Sequence, residues 1–263
     1  MKAGQGGGNM IRFRCLGEQA LIVELGDRID PAVHRKVLAF CKWLRQQKIN
    51  GVVEWVPSYT GVTIHFDPFL LSPFELQSKL AGFSSESVDD GQDRVRVIEI
   101  PVCYGGEFGP DLEELARFRR MDAKEVIRIH AGGTYLVYMI GFVPGFAYLG
   151  GMSPRIAMPR RDSPRPKIPA GSVGIAGEQT GVYPLEVPGG WRIIGRTPLP
   201  LFLPEQSPPS LLRAGDLVQF VPIDEPAYHA IKEKCNYGEL PVAIRYVKGG
   251  KGSESSSIRR LKL

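Results

Sequence analysis

The sequence predicts an α+β protein in two parts: a small N-terminal α+β sandwich, then a mostly-β domain built as a barrel or sandwich. Three observations predict it. Over the first hundred residues, short β-branched runs interleave with segments whose apolar positions recur every three to four residues. A polar stretch, Ser84 to Asp93, then separates this region from the rest. From Gly141 to Pro209 the chain is dense in glycine and proline, with short apolar runs between the turn signals.

In order, Ile11 to Leu16 and Ala20 to Leu25 read as strands. Asp30-Pro31 supplies an N-cap followed by proline at the first helical position. Val33, Val37, Phe40, Cys41 and Leu44 line one face of that helix, and Gly51 closes it. Val52 to Val56 and Val62 to Phe66 read as two more strands, and Ser72-Pro73 opens a short helix carrying Leu76, Leu80 and Phe83. The order β-β-α-β-β-α places both helices on one face of a sheet.

In the second domain, Val95 to Val102 is a strand and Cys103 to Gly109 a loop. Pro110-Asp111 opens a helix through Phe118, and Asp122 with Glu125 reads as a capping box for a helix ending near Ile129, with His130 at its end. Thr134 to Ile140, Val173 to Ala176, Val182 to Val187, Trp191 to Ile194 and Leu217 to Val221 read as strands. The expected divisions are a flexible tail over 1–9, the first domain over 10–93, the second over 94–247 and a disordered basic tail over 248–263.

With 43% hydrophobic and 23% charged residues, the chain can bury a core and is not disordered as a whole. No apolar run approaches the roughly 20 residues that span a bilayer, and Met1 to Asn9 lacks the apolar segment of a secretory signal. Cys15, Cys41, Cys103 and Cys235 are widely spaced and never form Cys-x-x-Cys, which suits isolated thiols in a reducing cytoplasm. The net charge is +5, but Lys248, Lys251, Arg259, Arg260 and Lys262 stand against Glu254 alone at the C-terminus, so the remainder is near neutral. Neither a nucleic acid nor a membrane partner is expected. The sequence contains no G-x-x-x-x-G-K-[ST], no G-x-S-x-G and no H-E-x-x-H, and His34, His65, His130 and His229 are scattered, so no metal site is expected.

Four blocks carry candidate chemistry. In Gly141 to Gly151, Pro144-Gly145 suits the centre of a type II turn, and Phe142, Phe146 and Tyr148 either wall a pocket or fill a barrel end. Arg155, Arg160, Arg161, Arg165 and Lys167 stand against Asp162 in a proline-stiffened loop. Such a loop suits a carboxylate or phosphate, because a guanidinium fork binds two oxygens at once; the alternative is a solvated basic loop. In Pro169 to Pro184, glycines such as Gly171 permit close backbone approach, and Ser172, Gln179 and Thr180 offer neutral hydrogen-bonding groups. In Pro188 to Pro198, Trp191 is core or pocket wall and Arg196 is a further cation.

These blocks resemble the family of the 5-oxoprolinase B subunit, also called the KipI or allophanate-hydrolase-subunit-1 family. Gly141 to Gly151, Pro159 to Arg165, Pro169 to Pro184 and Pro188 to Pro198 carry the resemblance. Pro57-Ser58-Tyr59, Phe66-Asp67-Pro68 and Tyr104 to Asp111 add to it, so that it spans Ile11 to Val221; Val187 departs from it, standing where a serine often precedes Pro-Gly-Gly-Trp. The resemblance implies a cyclophilin-like β-barrel for the second domain. It implies work beside two other 5-oxoprolinase subunits, a paralogue of C type and a protein of A type. Together they would hydrolyse 5-oxoproline to glutamate at the expense of ATP held jointly with a partner. Two alternatives remain open within the resemblance: a urea- or allophanate-processing, carboxyltransferase-type subunit, and a non-catalytic inhibitor of a sensor histidine kinase. On the hydrolase reading, Arg160, Arg161 and Arg165 hold a carboxylate or phosphate, and His130 acts as general base or orients water. Gln179 and the backbone near Gly171 and Ser172 bond the lactam or nucleotide. Phe142, Pro144, Phe146, Tyr148, Thr180 and Arg196 complete the binding set, and Glu178 and Asp111 are further acid–base candidates. The alternative for His130 is a residue at a helix C-terminus facing the local dipole.

Overall fold

The computed structural model describes residues 11–84, 94–248 and 259–262. The expected tail over 1–9, the linker beyond Ser84, and 249–258 lie outside the described residues. The chain divides into two compact units, 1–91 and 92–263.

The first unit runs β1 (Arg12–Cys15), β2 (Ala20–Glu24), α1 (Pro31–Gln47), β3 (Val52–Pro57), β4 (Gly61–Phe66) and α2 (Pro73–Leu80). Its strands form an antiparallel sheet in the order β1-β2-β4-β3. The local signals act as the sequence predicts at both helix starts. The Asp30 carboxylate accepts from the Ala32 N–H at 2.7 Å, and Ser72 and Glu75 close a capping box on α2. The end of α1 differs: Lys48 turns the chain in a left-handed conformation at φ 47°, three residues before Gly51. Leu21, Val23, Val62 and Ile64 from one sheet face bury against Val37, Phe40, Leu44, Leu76 and Leu80, which is what the two periodicities in the sequence require.

The second unit runs β5 (Arg94–Tyr104), α3 (Leu112–Phe118), α4 (Ala123–Ala131), β6 (Tyr135–Ile140), β7 (Ala147–Gly150), β8 (Arg165–Ile168), β9 (Ser172–Ala176), β10 (Gln179–Val182), β11 (Val187–Gly189), β12 (Arg192–Arg196), β13 (Leu217–Ile223), α5 (Glu225–Asn236), β14 (Glu239–Lys248) and β15 (Arg259–Lys262). Seven strands follow one another as β12-β9-β10-β7-β6-β13-β5, and β5 pairs back to β12 through Tyr104↔Gly195 and Cys103↔Arg196. The sheet therefore closes into a barrel and has no free edge there. The length of β5 makes this possible: one edge carries β14 along Arg94–Glu99 and β12 at Cys103–Tyr104, while the other pairs in parallel with β13. Ile98, Ile100, Val137, Leu149, Val173, Ile175, Val182 and Val218 fill the interior, and α3 and α4 add Leu112, Leu115, Ala116 and Val126. The fold is thus α+β with a barrel as its second part, as the resemblance implies.

Several local expectations are corrected. Val182–Val187 is not one strand: β10 ends at Val182 and β11 begins at Val187 as the partner of β8. Asp122 caps α4 through the Lys124 N–H at 2.8 Å. Glu125, however, turns away from the cap to Arg128 and Arg155, which lower its pKa to about 2. The segment after Ile223 holds α5 and β14, whose opening signal, Asp224 capping Ala227 N–H with Pro226 in the first turn, was legible. The basic tail over 248–263 is not wholly without structure, since Arg259–Lys262 pairs antiparallel with β14. β15 pairs with the edge of β14 that β5 leaves open.

Candidate functional site

Barrel closure sorts the candidate residues into separate places. His130 ends α4 inside the barrel and is 0% exposed. Its ring stacks on Phe220 with centroids 4.5 Å apart. The Tyr104 hydroxyl lies 2.7 Å from its Nδ1 and the Thr180 hydroxyl 2.9 Å from its Nε2. Because Thr180 donates its only hydroxyl proton to the Gly174 carbonyl at 3.0 Å, Thr180 accepts from Nε2–H, and Nδ1 accepts from Tyr104. Both ring nitrogens are thus satisfied in the neutral form. Burial lowers the His130 pKa to about 3. With no face toward solvent and both ring nitrogens engaged by Tyr104 and Thr180, the ring ties α4, β5 and β10 together.

The outer wall of the barrel carries the aromatic block. Gly174 and Gly181 pair across β9 and β10, and a Cβ on Gly181 would lie 3.1 Å from Trp191 and 3.2 Å from Phe146. The absence of side chains lets these rings lie against the strands. Phe146 is the hub, meeting Phe142, Tyr148, Tyr183 and Trp191 edge-on with centroids 5.0 to 5.6 Å apart. Phe146, Tyr183 and Trp191 are buried, so they fill rather than wall a pocket, with Ile168 and Val187 from the β8–β11 pair beside them. Phe142 and Pro144 are exposed and Tyr148 half-buried. Phe142 is 62% exposed at φ 68°, a backbone conformation that costs a bulky residue about 1–2 kcal/mol.

Beside this cluster the arginine loop has an internal partner. Asp111 is buried. It caps nothing in α3; its oxygens instead accept from Arg165 Nη1 at 2.8 Å, Arg165 Nη2 at 2.7 Å, the Ile193 N–H at 2.6 Å and Arg161 Nη1 at 3.4 Å. Arg165 is therefore held as the counter-ion of Asp111 rather than standing as a free fork. Arg192, which no sequence signal singled out, donates to both oxygens of Glu114 at 2.8 Å. Arg160 is exposed and forms no ion pair among the described residues. The Tyr183 phenol is pushed up to about 12 by burial, against the Trp191 backbone N–H, Arg160 and Arg165, which pull it down.

The remaining candidates lie elsewhere. Gly171 approaches a carbonyl of its own chain, since a Cβ there would stand 2.3 Å from Thr197 O. Ser172 is buried, and its hydroxyl has no partner among the described residues. Gln179 starts β10 opposite Ala176, and Glu178 is exposed in the preceding turn. Arg196 turns its guanidinium over the Phe108 ring at 5.7 Å. Tyr183, Trp191 and Asp111 were in view in the sequence, but which arginine Asp111 would meet had no local signal. Among the described residues no histidine, cysteine and acidic side chains group as a metal site, and no helix is long and apolar enough to cross a membrane.

Comparison with known proteins places this arrangement in context. Residues 11–212 match the family model "Carboxyltransferase domain, subdomain C and D". The chain is 50% identical over 235 residues to a Bacillus subtilis protein named as the B subunit of 5-oxoprolinase, covering 84% of this chain and 96% of that one. It is 41% identical to the Escherichia coli O157:H7 protein of the same name, over 82% of this chain and 99% of that one. Among solved structures, the Kluyveromyces lactis urea amidolyase shares the fold, with a TM-score of 0.73 at 19% identity over 91% of this chain and 16% of that one.

Proposed function

Because the chain belongs to the carboxyltransferase subdomain C and D family, and within it to the members named as 5-oxoprolinase B subunits, we propose that it is the B subunit of a 5-oxoprolinase, acting in the cytoplasm with subunits of A and C type. The observation that carries this reading is the 50% identity extending over 96% of the Bacillus subtilis protein's length. The urea amidolyase of Lachancea kluyveri, 23% identical, is matched over only 14% of its own length, and so does not carry its substrate to this chain.

The reaction class explains the need for a second substrate. A five-membered lactam is a resonance-stabilised amide that resists water at neutral pH, and ATP would supply the driving force for opening it. The sequence carries no glycine-rich phosphate loop with a following lysine. We assign nucleotide binding to a site shared with a partner protein. The part proposed for this chain is to bind and orient: the face formed by Phe142, Pro144, Tyr148 and the loop of Arg160 and Arg161 meets the acidic lactam or the partner that presents it.

The test is to co-express the chain with its A-type and C-type counterparts and measure ATP hydrolysis dependent on 5-oxoproline. Turnover is expected only with all three present. Full turnover by the other two without this chain, or none with all three, would sink the reading.

A further inference from the structure

Charge is unevenly spread along the chain. Arg117, Arg119, Arg120, Lys124 and Arg128 stand against Asp122 and Glu125, a net of +3 within the α3–α4 hairpin. Residues 1–247 together carry only +1, since +4 of the chain's +5 lies in 248–263. The hairpin backbone is held: Arg120 turns it in the left-handed region at φ 55°, and the turn closes through Arg120 N–H to Arg117 O at 3.1 Å and Met121 N–H to Ala116 O at 3.0 Å.

The side chains are held as well. Arg119 donates from Nε to the Arg155 carbonyl at 2.7 Å and from Nη2 to the Pro154 carbonyl, joining the hairpin to the 3-10 turn Pro154–Ile156. Arg155 Nη2 donates to Glu125 at 3.1 Å, and Arg128 donates to both Glu125 oxygens at 2.7 and 2.8 Å. Three guanidinium groups are thus linked around one carboxylate. The carbonyls that receive Arg119 accept its hydrogen bonds but cancel no charge. Arg117, Arg120 and Lys124 are exposed and form no ion pair among the described residues. Phe118, the last residue of α3, is 53% exposed, with the Arg119 guanidinium 6.0 Å from its ring. Aromatic and arginine side chains are what interface cores gather, and a guanidinium already ordered loses little freedom on docking.

Resting on the function proposed above, which gives this chain protein partners, we infer that the α3–α4 hairpin with the Pro154–Ile156 turn is a docking surface for another subunit of the complex, one that presents acidic side chains to the cations and an apolar depression to Phe118. The uncompensated charge selects an acidic surface and steers its approach; burial of the ring slows its departure. A nucleic acid is the lesser fit, because outside the hairpin residues 1–247 sum to −2, whereas a nucleic-acid-binding domain is basic as a whole.

The full-length chain is titrated with its A-type and C-type counterparts, each alone and both together, by analytical ultracentrifugation at low and at physiological salt. Association that weakens with salt is expected. Arg117→Glu combined with Lys124→Glu should raise Kd at least ~10-fold and flatten the salt dependence. Phe118→Ala should raise Kd about 10-fold with the salt dependence kept. Lys232→Glu combined with Lys234→Glu makes the same change of charge on exposed residues of α5, and should leave Kd within about twofold. The inference is overturned if the parent associates with neither counterpart, if both hairpin variants associate as the parent does, or if the α5 variant loses as much. Capture of a single-stranded RNA oligonucleotide, abolished by the hairpin charge reversal while subunit association stays unchanged, overturns it too. An active complex that the hairpin variants assemble as well as the parent leaves the 5-oxoprolinase reading standing without this surface. Assembly weakened by those variants, in a complex that never hydrolyses ATP with 5-oxoproline, leaves the surface standing without that reading.

Discussion

Arg165 donates from both terminal nitrogens to the two oxygens of Asp111, joining the residue before α3 to the first residue of β8 across 54 positions of sequence. The carboxylate is almost wholly buried and the arginine a quarter exposed. Removing one partner of such a pair strands the other charge, at about 3–5 kcal/mol. Arg165→Ala is expected to lower the unfolding free energy by about that much in urea denaturation. Asp111→Asn paired with Arg165→Met should recover part of the loss, because neither charge is then stranded. An Arg165→Ala protein as stable as the parent would return this arginine to the ligand-binding role.

His130 makes stability depend on pH in a definite direction. Its folded-state pKa, about 3, lies below the value near 6.5 of an unfolded chain. As pH falls below 6.5 the unfolded chain takes up a proton that the folded one refuses, so its contribution to stability is complete above about pH 6.5 and is lost toward pH 3. Asp216, raised to about 6 by burial against the pull of Arg96, works the other way, so the comparison must be differential. The stability difference between parent and His130→Gln should shrink from pH 7 to pH 4, by up to one proton's slope. Ring NMR at pH 5 should show a neutral imidazole protonated at Nε2. A charged ring at that pH would contradict the buried placement.

Gly171 stands at φ 83°. It donates to Tyr183 O at 2.7 Å and accepts from Thr197 N–H at 2.9 Å. A methyl group there meets both a disfavoured backbone conformation and the Thr197 carbonyl. Gly171→Ala should cost about 2–4 kcal/mol, read as a fall in melting temperature. A melting temperature within a degree of the parent would mean that the β9–β12 junction yields easily.

Phe142 gives the opposite balance. Its left-handed backbone is strained and its ring largely exposed, so Phe142→Gly relieves strain at the expense of chain entropy and should change stability by less than about 1 kcal/mol. The same variant should raise KM for 5-oxoproline severalfold in the complex, since strain kept at an exposed aromatic points to use. Unchanged kinetics would make Phe142 a surface residue of the aromatic cluster and nothing more.

Much of this was legible before any coordinates. The Asp30-Pro31 and Ser72-Pro73 starts, the spacing of Val33, Val37, Phe40 and Leu44, and the proline–glycine blocks are local statements, and local statements survive folding. Glu125 shows their limit: its position three residues past a cap predicts a bond back to the cap, but two arginines, one of them the distant Arg155, outcompete it.

The order of elements in the first unit, the α+β class and the family were determined by the sequence alone, because capping, periodicity and motif spacing act over a few residues. Which arginine is spoken for, and whether His130 faces water, were decided only when β5 met β12 and closed the barrel. Burial and ion pairing are properties of the space a side chain enters. Residues far apart in the chain define that space, and no short stretch of sequence reports it.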